Sequence, residues 1–386
     1  MSTVLERTTL QVSGSVDRRF ERVREAFAAS FERTDEYREC GAALAVYRAG
    51  KPVVDLWAGY ADRGRTKPWQ RDTLINVYST TKGIVSVAAA QLAEAGRLDY
   101  AAPVTKYWPE FGTAGKERTT VAQLISHQAG LSGFAEPTTA DDLCDWNARV
   151  ASLARQAPFW TPGEKTSYHA MTWGFLVGEV LKRASGATAG QLIAKNIARP
   201  LAADFYVGLP EPLEPRVATM LAPIKPPDLS NLTQPPEALA ALGNPQLEPE
   251  VCNSRAWRAA EIPAANGQGS AQGVARVYAA LANGGELDGK KLLAPATIKR
   301  MLEIQAKRPD LLLGFQDNWG LGMCHNQFSM LGPKADTFGH GGWGGSIGAA
   351  NLDAKVGIGY VMNQMGALLV GDPRGTGLCH AIFECL

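Results

Sequence analysis

The sequence predicts an α+β fold in which strands from both ends of the chain share one antiparallel sheet and a mainly helical domain is inserted between them. Two apolar runs around a short Gly-containing turn at residues 43–59 predict a hairpin. Short runs broken by Gly, Asp and Lys after residue 319 are typical of an antiparallel meander. Helical patterns fill the middle of the chain, and strands flanking a run of helices indicate the α+β class.

The helices follow from the spacing of apolar residues. Residues 15–33 have the pattern of an amphipathic helix, with apolar side chains at Val16, Phe20, Val23 and Phe27. Residues 81–98 leave almost no polar face, which is typical of a helix buried inside a domain. Residues 171–185 and 271–283 predict two further helices. We therefore expect an α/β domain made of residues 1–75 and 275–386 and a helical domain over residues 76–274.

A long irregular segment lies inside the helical part of the chain. Residues 209–250 are rich in proline and weakly periodic. Such a long connection in a compact protein usually forms a lid or a pocket wall. We expect it to line a pocket together with the aromatic residues around Phe134 and Trp160.

Composition narrows the function classes. The 386 residues are 45% hydrophobic and 20% charged, as in an ordinary globular enzyme, and the net charge of +1 argues against a nucleic-acid binder. We expect no membrane span, because no apolar run approaches about 18 residues. The start lacks a signal-peptide pattern, which predicts a cytoplasmic protein. The five histidines and six cysteines show no zinc-binding spacing, so we expect neither a metal nor a cofactor.

The first candidate for chemistry is Ser79-Thr-Thr-Lys82 at the head of the most apolar helix. Residues three apart share a helix face, so the Ser79 hydroxyl and the Lys82 amine can meet. A buried lysine has a lowered pKa and can take the proton of a serine nucleophile. The pattern on its own is equally typical of a helix-capping serine followed by a surface lysine.

Two further segments could complete such a site. Tyr168 lies between a Pro-Gly turn and a buried helix, where a tyrosine can relay a proton to a leaving group. The stretch Phe338-Gly-His-Gly-Gly-Trp-Gly-Gly-Ser346 lets a backbone approach a ligand closely and can lend an N–H group to an oxyanion hole. The alternatives are a tyrosine that only packs its ring and a tight turn between strands.

Together these three segments resemble the Ser-x-x-Lys, Tyr-x-Asn and Lys-Thr-Gly motifs of class C β-lactamases and penicillin-binding proteins, and most strongly the family VIII carboxylesterases. Two further segments, Leu124–Leu131 and the stretch from Pro162 to Gly186, resemble conserved segments of the same family. The resemblance runs from about residue 40 to residue 365. It implies a β-lactamase-like fold with Ser79 as nucleophile, Lys82 as its base and Tyr168 as the third member.

The resemblance also implies an oxyanion hole, formed by the Ser79 N–H and one N–H of the Gly-rich strand. If His340-Gly-Gly342 replaces Lys-Thr-Gly, Trp343 donates the second N–H, and if Trp343-Gly-Gly does, Ser346 donates it. We favour the first register. The lysine that would attract a substrate carboxylate is then replaced by His340.

A second departure from the β-lactamase pattern lies in the tyrosine motif, which reads Tyr168-His169-Ala170 and so lacks the amide side chain. Both departures favour a less polar ester over a β-lactam. The sequence therefore predicts a serine carboxylesterase that hydrolyses short-chain acyl esters, with weak β-lactam hydrolysis left open. Its expected partner is a small-molecule ester, without nucleic acid or membrane, and the oligomeric state is not predicted.

Alternatives within the same fold are an acyltransferase, a β-lactamase, an amide hydrolase and a penicillin-binding-like protein that binds without turnover. A rival fold follows from Gly344-Gly-Ser346-Ile-Gly348, which matches the nucleophile elbow of α/β-hydrolases. Asp353 or Asp372 and then His380 could complete that triad. Only about 40 residues follow Ser346, and its flanks are strand-like, so we interpret this match as accidental.

Overall fold

The computed structural model describes residues 11–226, 233–316 and 319–386. Within these ranges the strands are β1 Ser13–Val16, β2 Gly41–Arg48, β3 Lys51–Gly59, β4 Ile75–Asn76, β5 Phe205–Tyr206, β6 Gln268–Gly269, β7 Glu286–Leu287, β8 Lys290–Lys291, β9 Cys324–His325, β10 Phe338–Gly341, β11 Ile347–Asn351 and β12 Val356–Met362. The α-helices there are α1 Glu21–Glu32, α2 Thr80–Glu94, α3 Val121–Ile125, α4 Trp146–Arg155, α5 Thr172–Ser185, α6 Ala189–Ile193, α7 Pro236–Gly243, α8 Arg255–Ala259, α9 Ala271–Ala282, α10 Pro295–Leu302 and α11 Pro373–Glu384.

The main sheet joins the two ends of the chain. Its strands run in the order β1-β3-β2-β12-β11-β10-β9, and every neighbouring pair is antiparallel. The central contact pairs β2 with β12, from Ala42 opposite Met362 to Arg48 opposite Val356. The predicted hairpin is therefore confirmed as β2–β3 and the meander as β9–β12. A small sheet in the order β4-β6-β5 lies in the intervening part of the chain.

The helix α9 packs directly on this sheet, against β2, β11 and β12. Close approach depends on glycine, since a Cβ atom at Gly357 would lie 2.3 Å from the Ala279 nitrogen. The ring of Tyr278 fills the space where a side chain at Gly348 would stand. The α+β class is thus confirmed. The domain division remains a prediction, and its boundary at residue 275 lies inside α9.

Several local expectations need correction. Val16 ends β1, and the helix starts only after a 3-10 turn at Arg18–Phe20, because β1 pairs with β3 and takes these residues into the sheet. The 209–250 segment contains a 3-10 helix at Glu211–Arg216 as well as α7, while residues 227–232 lie outside the described part.

The signal-peptide expectation rests on residues 1–10, which also lie outside the described ranges. Among the helices that are described, none is long and apolar enough to cross a membrane.

Candidate active site

Ser79 stands at the N-cap of α2, immediately after the short strand β4. Its hydroxyl makes no capping hydrogen bond, so the reading of Ser79 as a simple helix cap is wrong. The preceding residue, Tyr78, has a φ of 41°, a left-handed conformation that costs energy for a non-glycine residue. The Tyr78 hydroxyl donates a hydrogen bond to the Pro249 carbonyl at 2.5 Å, which holds this turn in place. The strained turn presents Ser79 half-buried at the helix start.

Lys82 is fully buried one turn further along α2. Its Nζ lies 3.1 Å from Ser79 Oγ, 2.7 Å from the Ala170 carbonyl oxygen and 2.9 Å from the Ala264 carbonyl oxygen. Burial lowers its pKa well below the ordinary value of 10.5. The alternative of a surface lysine is therefore wrong, and the buried Lys82 amine faces the serine hydroxyl.

Tyr168 completes the group. Ser79 is close enough to the buried phenol to act on its pKa, and Lys82 Nζ lies 4.8 Å from the centre of its ring. Burial raises the pKa of Tyr168, although the interaction with Ser79 opposes that shift. The ring stacks on Trp319 with centroids 5.6 Å apart and planes only 9° from parallel. The structure thus brings Ser79, Lys82 and Tyr168 together.

The buried carboxyl group of Asp310 binds both Tyr168 and Trp319. One oxygen of Asp310 accepts hydrogen bonds from the backbone N–H groups of Tyr168, Leu312 and Leu313, and the other accepts from the indole of Trp319. Sequence reasoning missed Asp310 and Trp319, because each is a lone polar or aromatic residue without a motif.

Histidines from the two further segments that resemble the family pack behind Tyr168. His127 Nδ1 accepts a hydrogen bond from the His169 backbone N–H, and its ring packs 4.9 Å from that of Tyr168. His169 Nε2 accepts from the Leu131 N–H. The two segments that carry the family resemblance, Leu124–Leu131 and the one around Tyr168, are thus tied to each other behind the site.

The Gly-rich segment forms β10 and the turn into β11, and it runs beside the start of α2. A Cβ atom at Gly342 would lie 2.1 Å from the Val77 carbonyl oxygen, so only glycine permits this contact. The Gly342 N–H donates to the Ser346 carbonyl across the turn, while the Trp343 ring packs on Tyr78 with centroids 5.2 Å apart. Among the described residues, the backbone N–H groups of Ser79 and Trp343 have no hydrogen-bond acceptor.

Ser346 lies between two strands, and its hydroxyl donates to the Val77 carbonyl oxygen at 2.8 Å and lies 3.0 Å from Thr80 Oγ1. This is not the strand-turn-helix setting of a nucleophile elbow. His380 lies on α11 and contacts the Ser329 carbonyl, and Asp372 is bound to Arg374. The structure therefore does not assemble the rival triad.

Comparison with known proteins agrees with this geometry. The sequence profile of the β-lactamase family matches residues 17–376. The chain belongs to the β-lactamase family. It is 36% identical to the esterase/β-lactamase LipL of Mycobacterium tuberculosis over 96% of this chain and 88% of that protein.

Solved structures of this family match the chain at higher sequence identity. A family VIII carboxylesterase superposes with a TM-score of 0.91 at 44% identity, covering 97% of this chain and all of that one. A penicillin-binding protein homologue from Caulobacter crescentus gives 0.92 at 40% identity, with 97% and 100% coverage. The predicted resemblance and the assignment to the serine hydrolases of this fold are confirmed.

The Gly-rich strand β10 carries a buried, uncharged imidazole at His340. His340 Nδ1 donates a hydrogen bond to the Gly341 carbonyl at 2.7 Å. Burial, reinforced by nearby Lys82, lowers the pKa of His340 to about 3. Its ring lies 6.1 Å from that of Tyr168. His340 therefore presents no positive charge to a substrate at neutral pH.

A cavity of about 60 Å³ opens beside Tyr168 and His340. Its other walls come from the segments 313–331, 341–347 and 370–376. Phe134 and Trp160 are not among the lining residues, so the expectation for these aromatics is wrong: Phe134 packs on Phe175 in the core. The helix α7 contributes Ala238 and Ala241 to the apolar cluster around Tyr168 instead.

Arg374 on α11 binds the Gly-rich turn. Its guanidinium donates to the Gly344 carbonyl at 2.9 Å and is bound by the buried carboxylates of Asp372 and Glu39 at 2.7 and 3.1 Å. The side chains of all three ionic partners are almost completely buried. The Gly-rich turn is thus supported by groups that are far apart in the chain, Glu39 and Arg374.

Proposed function

We propose that this protein is a serine carboxylesterase that hydrolyses short-chain acyl esters through an acyl-enzyme on Ser79. The observation that carries the proposal is the set of partners of Lys82. An uncharged amine has two N–H donors and one lone pair. The carbonyl oxygens of Ala170 and Ala264 take the two donors, so the lone pair remains for the hydroxyl proton of Ser79. This arrangement makes Lys82 the general base.

The oxyanion of the tetrahedral intermediate would be bound by the backbone N–H groups of Ser79 and Trp343. Both lack an acceptor in the described residues, as does the Ser346 N–H, so the choice of donor rests on the Tyr78–Trp343 contact, which brings Trp343 against the residue before the nucleophile. This supports the register in which His340-Gly-Gly342 replaces Lys-Thr-Gly. Each such donor contributes about 3 kcal/mol to transition-state stabilisation in serine hydrolases. Ser346, whose side chain is turned to Val77 and Thr80, is given no catalytic role.

In the proposed reaction Ser79 Oγ bonds to the ester carbonyl carbon while its proton moves to Lys82. Tyr168, whose raised pKa keeps it protonated, gives its proton to the leaving alkoxide as the carbon–oxygen bond breaks. The Lys82 ammonium, 4.8 Å from the ring centre, stabilises the phenolate and returns the proton. Water then repeats the sequence on the acyl-enzyme and releases the acid. During acylation the site residues supply every proton that moves, and during deacylation the attacking water supplies the proton that restores Ser79.

Small substrates are favoured by the size of the adjoining space. The cavity of about 60 Å³ corresponds to only a few water-sized positions, at roughly 15 Å³ each. Its walls offer no cation for a β-lactam carboxylate, because His340 is uncharged. We therefore rank short esters above β-lactams, and we keep a cytoplasmic location as a prediction from the sequence.

The test measures hydrolysis of p-nitrophenyl acetate, butyrate and decanoate and of nitrocefin by wild type, Ser79→Ala and Ser346→Ala. We expect the two short esters to be cleaved fastest, a loss of at least about 10³-fold in Ser79→Ala, and most activity retained in Ser346→Ala. Loss of activity in Ser346→Ala alone would overturn the assignment. A stable Ser79 adduct without turnover, seen by mass spectrometry, would favour the penicillin-binding-like alternative.

A further inference from the structure

His340 lines the cavity beside Tyr168 and is only 5% exposed. Its Nε2 is buried and has no hydrogen-bond partner within the described protein. The other buried polar groups of the lining have partners: Ser346 donates to Val77, and Asp372 accepts from Arg374. Because Nδ1 carries the proton that is donated to Gly341, Nε2 of the neutral ring is an acceptor only.

The remaining walls are largely apolar, with Leu313, Phe315, Trp319, Met330 and Ile347 among them. A ligand that fits this space must be small and mostly aliphatic, with one hydrogen-bond donor placed for Nε2. An apolar ligand without a donor would leave that nitrogen buried and unpaired.

The position of the cavity relative to Tyr168 indicates which half of the ester enters it. The group that protonates the leaving oxygen must come within hydrogen-bond distance of that oxygen. Tyr168 both contacts Ser79 and lines the cavity. The alcohol portion therefore points into the cavity when its oxygen meets Tyr168, whereas the acyl portion stays bonded to Ser79.

We propose that this cavity is the alcohol subsite and that His340 Nε2 accepts a hydrogen bond from a hydroxyl group on the alcohol, so that hydroxyalkyl esters, the monoesters of short diols, are preferred substrates. This inference rests on the proposed esterase function and refines it. His340 acts here as a specificity determinant, because it contacts the alcohol portion of the substrate.

The experiment compares butyrate esters that differ only by a methyl group in place of a hydroxyl. The pairs are 2-hydroxyethyl with n-propyl, 3-hydroxypropyl with n-butyl, and 4-hydroxybutyl with n-pentyl butyrate. The ratio of kcat/KM within each pair is divided by the ratio of the alkaline hydrolysis rates, which removes intrinsic reactivity. We expect a corrected ratio of about tenfold or more in at least one pair, since an unpaired buried acceptor costs that factor.

Three variants test the role of the nitrogen. His340→Leu removes the acceptor and should bring the corrected ratio close to one, while His340→Gln, which retains an acceptor oxygen, should keep a ratio clearly above one. The matched control is His325→Gln, because His325 also lines the cavity but its Nε2 already contacts the Leu302 carbonyl at 2.7 Å. That variant should keep the wild-type ratio.

Wild-type ratios near one in all three pairs, or a high ratio that survives in His340→Leu, would overturn the inference. Either result can occur while p-nitrophenyl butyrate is still cleaved in a Ser79-dependent manner, and then only the alcohol subsite is wrong. If Ser79→Ala retains full activity toward that ester, the proposed function itself fails.

Discussion

Two lysines of this protein have side chains that solvent does not reach, yet they have different partners. Lys82 and Lys116 both have side chains without solvent exposure. Lys116 Nζ donates to three backbone carbonyl oxygens, those of Thr113, Ala154 and Gln156, at 3.0, 3.1 and 2.5 Å. Lys82 has two carbonyl partners, and its third partner is the hydroxyl of Ser79.

The difference lies in what the third partner can do. A carbonyl oxygen can only accept, so three carbonyls are all satisfied only when Lys116 keeps its three N–H donors and its charge. A hydroxyl can also donate, so the Ser79 contact is satisfied by either protonation state of Lys82. Burial lowers the pKa of both lysines, and it does so more strongly for Lys82. In the proposed mechanism Lys82 acts as a base because one of its neighbours, Ser79, has a proton to give.

The largest effect is expected from Lys82→Met, which keeps most of the volume and removes the base. The value of kcat/KM for p-nitrophenyl butyrate should fall by about 10³- to 10⁴-fold, the range of a lost general base. Circular dichroism should show the fold intact. If the Lys82→Met variant retains most of its activity, Lys82 is not the base, and its proposed difference from Lys116 is wrong.

Tyr168→Phe should give the next largest loss, about 10²- to 10³-fold in kcat, because the leaving alkoxide would depart without a proton donor. The ring still stacks on Trp319, so stability should change little. Measuring p-nitrophenyl and alkyl butyrates side by side sharpens the test, since a good leaving group needs protonation less. Equal losses for both esters would contradict the role of Tyr168 as acid.

The pH dependence should follow Lys82, since only its uncharged form can accept the Ser79 proton. Its pKa is lowered, so kcat/KM should rise by about tenfold per pH unit up to that pKa, which lies well below 10.5, and then level off. Stability moves in the same direction: between the folded and the unfolded pKa the unfolded chain binds more protons, so the free energy of unfolding rises with pH. A rate that stays flat down to acid unfolding would count against Lys82.

The smallest effect on rate is expected from Lys116→Met, which serves as the matched control. The activity per folded molecule should stay within about twofold, because mutations at sites without shared partners act independently. The free energy of unfolding, measured with urea, should fall by about 2–4 kcal/mol, since three buried carbonyls lose their donor. A large loss of kcat/KM with unchanged stability would show that the comparison is wrong.

The sequence was informative where chemistry depends on local spacing. Ser79 and Lys82 are three residues apart, so they lie on the same helix face. The apolar pattern of α2 correctly predicted that this helix is buried. The hairpin and meander were also readable, because alternation and turn residues are local signals. The pairing of β2 with β12, which closes the sheet, was expected from fold class alone.

Contacts between distant segments could not be read from the sequence. Asp310 reaches Tyr168 and Trp319 from a loop that carries no motif, and Arg374 reaches Gly344 from the last helix. The register of the Gly-rich strand is ambiguous in the sequence for the same reason. The packing of Trp343 on Tyr78 supports the register that we propose, and the sequence does not show that contact.

The contacts of Arg374 with the Gly-rich turn have a consequence for when activity can appear during protein synthesis. Glu39 and Arg374, which meet under the Gly-rich turn, are 335 positions apart in the chain. A ribosome-bound nascent chain that ends before Arg374 already contains Ser79, Lys82 and Tyr168 but lacks the support of the turn. We expect stalled chains of that length to remain inactive toward esters, so that the enzyme becomes competent only after α11 has been synthesised.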